Sequence, residues 1–329
     1  SGSTSSGGGS TSGSTSSGGG STSGSTSSGS NLCGGSPNGV SSSGAITCTF
    51  TISVASGGGG TTSPSPGTYT YNKDNLVNYS ATPDEGYQFV RWTGSISSMS
   101  SSGTATMTTN HVITAVFELI PAITLDSNGV TVKAASGKAI GYQETLNGDV
   151  YTIVDRETLI QKVNAGEDVS KLVTSYITNM FQIFRDKSSF NQDISSWDVS
   201  NVTNMGEMFY EANSFNQNIG SWNLRYVTNT KHMFFEATSF NQDISSWNVN
   251  SVVDYTFMFR KATSFNQDIS SWNVGNSGEE MGHMFFDASS FNQDLSGWDV
   301  ESITGCRFFA EGATSWILPK PNFTNCNPN

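Results

Sequence analysis

Charge is scarce in this chain: 13% of its residues are Asp, Glu, Lys or Arg, against about 25% in an ordinary domain. The 15 basic residues are outnumbered by 27 acidic ones, giving a net charge of −12. That balance argues against nucleic acid, whose phosphates require clustered Lys and Arg, and disfavours docking on anionic lipid. There is no run of about 18 apolar residues, so no membrane insertion is expected. Neither an initiator Met nor an apolar signal-peptide region is present, and the sequence reads as a mature or trimmed secreted form. Cysteine is limited to four residues without CxxC spacing, which excludes the usual zinc and dithiol redox motifs. The simplest of their three connectivities joins Cys33 to Cys48 and Cys306 to Cys326, two local disulfides suited to an oxidising compartment. Free buried thiols are the alternative, above all for Cys306, which falls on a repeat core position.

Gly, Ser, Thr and Asn fill the space left by charge. Residues 1–31 contain no charged, aromatic or aliphatic side chain and repeat SGSTSSGGGST internally. Such a tract buries too little apolar surface to offset its ordering entropy and reads as a low-complexity tether.

Residues 32–119 read as an all-β module. Thr47–Val54 alternates apolar and polar, glycine and proline punctuate residues 57–67, and further short strands continue to Leu119. Ser63-Pro64-Ser65-Pro66-Gly67, Ala81-Thr82-Pro83 with Gly86-Tyr87, Phe89-Val90-Arg91-Trp92 and Ile113–Phe117 resemble the B repeats of internalin-like bacterial surface proteins. The resemblance implies a small β-grasp-like spacer or adhesive unit without catalytic residues. Tyr87, Phe89 and Trp92 are expected in its core rather than on a ligand-stacking surface.

Residues 120–168 form a junction. A hairpin is expected around Asn128-Gly129, a second turn at Asn147-Gly148, and a short helix capped by Asp155 and ended by Gly166. Its stripe of Leu159, Ile160 and Val163 suits an N-terminal cap on a repeat array.

From 169 to 318 one unit recurs. Phe190, Phe215, Phe240, Phe265 and Phe291 are separated by 25, 25, 25 and 26 residues, and Trp197, Trp222, Trp247, Trp272 and Trp298 keep the same steps. A fixed period in this range means a stacked array, since one unit cannot bury its apolar face alone. Within a unit, SSWDV reads as a short strand, and Met205, Met208, Phe209 and Ala212 read as a short helix by their i, i+3, i+4, i+7 spacing. Strand stacking at about 4.7–4.9 Å makes the array roughly 30 Å long. Residues 319–329, with Pro319 and Pro321, form a tail. The SFNQDISSWDVSNVTNM wording resembles the BspA-like surface repeat, a leucine-rich-repeat-like unit of secreted bacterial proteins. The expected fold is therefore mainly β with short helices: a β module, then a solenoid of about five to six coils. One residue is inserted near Gly275–Gly278.

Chemistry is sparse. Asp193, Asp243, Asp268 and Asp294 form a column, with Asn218 in the remaining unit. A cation such as Ca²⁺ would neutralise stacked carboxylates, but Asn and Asp at such positions more commonly cap turns, and no cofactor is expected. His232 and His283 share a column two units apart, roughly 10 Å at strand spacing. That is too far for one metal ion, so they and His111 read as ordinary surface residues. No HExxH, P-loop or GxSxG motif occurs in the folded part, and the chain is expected not to be an enzyme. The resemblances imply a secreted or cell-surface protein in adhesion or protein–protein contact. Its partner would be a protein or glycan on another cell or matrix, or copies of itself. The alternatives are a subunit of an extracellular filament or virion appendage and, far behind, a surface hydrolase.

Overall fold

A computed structural model describes Cys33 and residues 46–275 and 280–329. The tether at 1–31 and most of the insertion near 275–278 lie outside the described residues. The chain divides into two compact bodies, up to Ile120 and from Pro121.

In the first body β1 (Thr47–Val54) sets the pattern. Its alternation buries Cys48, Phe50 and Ile52 and leaves the intervening residues partly exposed. With β3 (Gly67–Asn72), β5 (Tyr87–Gly94) and β7 (His111–Leu119) it forms a four-stranded sheet of order β3-β1-β7-β5, in which β1 and β7 are parallel. A second sheet, β2-β4-β6, comprises Gly60–Ser63, Leu76–Pro83 and Ser102–Thr106. Val77, Tyr79, Ala81 and Ala105 of the second sheet share one core with Phe50, Ile52, Trp92, Ile113 and Ala115 of the first. Trp92 is fully buried with Tyr79 edge-on at 5.0 Å, and Phe89 packs beside it, so this aromatic cluster is core. Cys33 is bonded to Cys48. No helix occurs among the described residues of this body.

The second body opens with the hairpin β8 (Ile123–Leu125) and β9 (Val132–Ala134), followed by β10 (Gln143–Leu146) and β11 (Asp149–Ile153). Asn147 and Gly148 both have positive φ, 53° and 94°, as a two-residue hairpin turn requires. The Asp155 side chain accepts the N–H of Thr158 at the start of α1 (Arg156–Ala165), and Gly166 ends it at φ 70°. Leu159 and Val163 of α1 enter the core of the repeats. β12 (Leu172–Val173) pairs parallel to β11.

Beyond Val173 the repeats contain neither the expected strand at SSWDV nor the expected helix at Met205–Ala212. Each unit is instead a chain of turns joined to the next by parallel bridges, Asn179 to Asn204, Asn229, Asp254, Glu280 and Gly305 in succession. The physical reason is visible in the unit 204–212. Met205, Glu207, Phe209 and Glu211 donate their N–H groups to Asn229, Lys231, Met233 and Phe235 of the following unit at 2.8–2.9 Å. The intervening residues close local turns, as Met208 does on Met205 and Ala212 on Phe209. Pointing every second N–H outward along the array demands positive φ at Glu207 (56°) and Glu211 (54°), and an α-helix cannot contain that. The i, i+3, i+4, i+7 spacing buries the right residues on a different backbone.

The core follows the period. Phe209, Phe234, Phe259 and Phe285 stack at 5.4–5.6 Å, and Phe215, Phe240, Phe265 and Phe291 at 5.8–5.9 Å. Trp197, Trp222, Trp247, Trp272 and Trp298 each donate the indole N–H to a carbonyl one unit earlier, at 3.0–3.2 Å. Phe190, at the start, is only partly buried.

Candidate functional site

Two outward columns of the turn segments carry large side chains. One runs Glu207, His232, Phe257, His283, Phe308, all at positive φ between 54° and 61°. The other runs Arg185, Tyr210, Phe235, Arg260, Phe286. All ten are half-buried. Their rings form a second ladder outside the core. Tyr210 stacks on Phe235 at 4.5 Å, His232 on Phe257 at 4.6 Å, and Phe257 on His283 at 4.5 Å. Arginines complete it: Arg185 lies over Tyr210 at 4.3 Å and Arg307 over Phe308 at 4.4 Å. Arg260 lies over Phe286, Phe257 and Phe235 at 4.6, 5.4 and 5.5 Å.

The charges on this face are unevenly matched. Arg185 is paired with Glu207, and Lys261 with Glu236 at 2.5 Å. Lys231, Arg260 and Arg307 have no ion pair among the described residues. Burial, then Lys231, pushes the His232 ring down to about 4, and burial with Arg260 and Arg307 lowers His283. The Tyr210 phenol is raised, by burial first and then by Glu211. Among the described residues, buried Nδ1 of His232 and Nε of Arg260 have no hydrogen-bond partner.

Other sequence candidates fall elsewhere. Asp193, Asp243, Asp268 and Asp294 are exposed, and each accepts the N–H two residues on at 2.9–3.0 Å, as does Asn218. Hydrogen bonds from Ser245 and Ser270, and from the Ser296 side chain, hold Asp243, Asp268 and Asp294 below the usual carboxylate range. Among the described residues no three His, Cys, Asp or Glu converge as metal ligands. His232 and His283 are not ordinary surface residues, because Phe257 fills the gap between them. His111 lies in the first body, its ring nitrogens near Thr106 and Ser95.

Two features were missed from sequence. Asn191, Asn216, Asn241 and Asn266 form a hydrogen-bonded ladder: each side-chain oxygen accepts the backbone N–H of the next Asn and the amide of the following Gln. The outer ring ladder had a faint signal, a large residue immediately after each core Phe in MFYEA, MFFEA, MFRKA and MFFDA.

Residues 154–256 and 218–317 match the family described as "Mycoplasma protein of unknown function, DUF285". Residues 50–121 match the family described as "Divergent InlB B-repeat domain". No curated protein and no solved structure matches the chain. The two family matches support a bacterial surface repeat protein, and with the two disulfides they point to an extracellular or cell-surface location. No described helix is long and apolar enough to cross a membrane.

Proposed function

We propose that this bacterial surface repeat protein is a non-enzymatic contact protein whose repeats form a BspA-like solenoid and bind a partner through the outer ring ladder. One observation carries this reading. Ring spacing is 4.5–4.6 Å for the stacked pairs of the outer ladder and 5.1 Å for its tilted pair His283 and Phe308, against 5.4–5.9 Å in the Phe columns and 6.2–6.5 Å between Trp247, Trp272 and Trp298. Closer spacing in the outer ladder than in the core is what an array concave on that side would show. The concave side is where solenoids commonly bind, and half-buried aromatics with arginine have the composition of interface centres. The β module would act as a spacer, and the Asp column as turn caps.

Assembly into a filament or virion appendage through the array ends is less well supported, because both ends are covered. Arg156 donates to the carbonyls of Asn179 and Phe181 at one end, and Pro328 accepts the N–H of Phe309 at the other. A hydrolase reading requires paired carboxylates in different environments, and the Asp column offers equivalent ones that cap the same turn. The test is attachment of the purified chain to candidate cells or matrix. A Tyr210→Ser, Phe235→Ser, Phe257→Ser variant is expected to lose attachment, whereas an Asp243→Asn, Asp268→Asn variant keeps it. The reverse pattern would move the contact to the Asp column.

A further inference from the structure

The chain carries 27 acidic residues, yet none lies within ion-pair distance of Arg260 among the described residues. Its neighbours on the same face, Arg185 and Lys261, are both paired. Three rings hold the guanidinium in place, and its Nε is buried without an acceptor. A guanidinium fixed in this way is oriented for a carboxylate supplied from outside, since its planar fork matches that group and little side-chain freedom remains to be lost. The rings around it favour the same ligand. Because Phe257 is stacked between two imidazoles, the free part of its ring is the edge, the positive side of the quadrupole. Burial lowers both neighbouring imidazoles, and Lys231, Arg260 and Arg307 add to it while Asp254 and Glu311 act against it.

Spacing distinguishes a sugar chain from a peptide. The stacked outer rungs lie 4.5–4.6 Å apart, and His283 and Phe308 lie 5.1 Å apart. An extended peptide rises about 3.3 Å per residue and returns to the same side only every second residue, so its side chains fall out of step with the rungs. One sugar of a linear glycan is longer than one peptide residue, so its repeat lies nearer the rung spacing. Charge limits the ligand further: a net charge of −12 repels a dense polyanion, so isolated carboxylates between neutral sugars suit the site.

We infer that Arg260, with His283 and the edges of Phe235, Phe257 and Phe286, binds a carboxylate-bearing sugar of a linear glycan. This rests on the proposed reading of the outer ladder as the contact surface. The probes are a hexasaccharide alternating glucuronate with N-acetylglucosamine, a neutral N-acetylglucosamine hexamer and hexaglutamate, each titrated calorimetrically into the full chain. The uronate hexasaccharide is expected to bind. Arg260→Gln should weaken it about tenfold or more, as loss of a charge-assisted bond does, and Arg260→Lys should recover only part. Arg225→Gln, at an exposed arginine stacked on Tyr226, should leave it unchanged. Circular dichroism and thermal midpoints verify that each variant is folded. Equal binding of the neutral hexamer, preference for hexaglutamate, or unchanged affinity in Arg260→Gln would overturn the inference. If the triple Ser variant loses attachment but the uronate hexasaccharide does not compete with it, the ligand class falls and the contact surface stands. If that variant still attaches, both fall.

Discussion

Asn241 shows how much of this fold depends on single polar atoms. Its side-chain oxygen accepts the N–H of Asn266 and the side-chain amide of Gln267, both at 2.9 Å, so one carbonyl joins two units. Asn241→Ala leaves both donors without their acceptor and is expected to cost about 1–3 kcal/mol in thermal or urea unfolding. Asn241→Asp keeps an acceptor and should cost less. His232 is the other informative residue. Its folded value of about 4 lies below its ordinary 6.5, so between these values the unfolded chain binds more protons than the folded one. Stability is therefore lost as pH falls from about 6.5 toward about 4. Unfolding midpoints measured across that range should show a decline that His232→Phe flattens, with part of it remaining because His283 is lowered too.

At the scale of elements, α1 closes the first repeat. Its Arg156 donates from Nε and Nη2 to Asn179 and Phe181 at 3.1 and 2.8 Å, where a preceding unit would otherwise donate backbone N–H groups. Arg156→Ala should raise amide hydrogen exchange across residues 179–186 while the units after 230 keep their protection. Uniform loss across the array would mean that the repeats unfold as one block rather than fray from an end. The turn segments follow the same logic. Their positive-φ residues are strained for non-glycine side chains, and from Gln182 to Asp287 each donates its own N–H to a carbonyl on the next unit.

For the whole molecule, the decisive feature is that stability is passed from unit to unit, so the ends are weak points. At the C-terminal end the disulfide Cys306–Cys326 closes a separation of 20 residues and holds a tail that contributes Pro319 to Leu295 and Pro328 to Phe309. Cys306→Ser with Cys326→Ser is expected to lower stability by about 2–4 kcal/mol. It should also expose 319–329 to protease before the central repeats are cut. Simultaneous cleavage throughout would contradict sequential fraying.

The period, the buried Phe, Trp, Met and Ala columns, the paired cysteines, the Asp155 cap and the two hairpin turns were legible in the chain, because each depends on local chemistry or on a fixed spacing. The backbone of the repeat was not. The spacing of Met205, Met208, Phe209 and Ala212 fits a helix as well as it fits turns, and only the carbonyls of the next unit, 24 residues on, decide between them. The outer ladder was hidden for the same reason. Glu, His, Phe, His and Phe share no pattern in sequence, and they become one surface only when the core brings successive units within ring-stacking distance. Sequence alone determined that units repeat and what they bury. The tertiary structure decided which residues stay half-buried outside the core, because that depends on neighbours that exist only across the array.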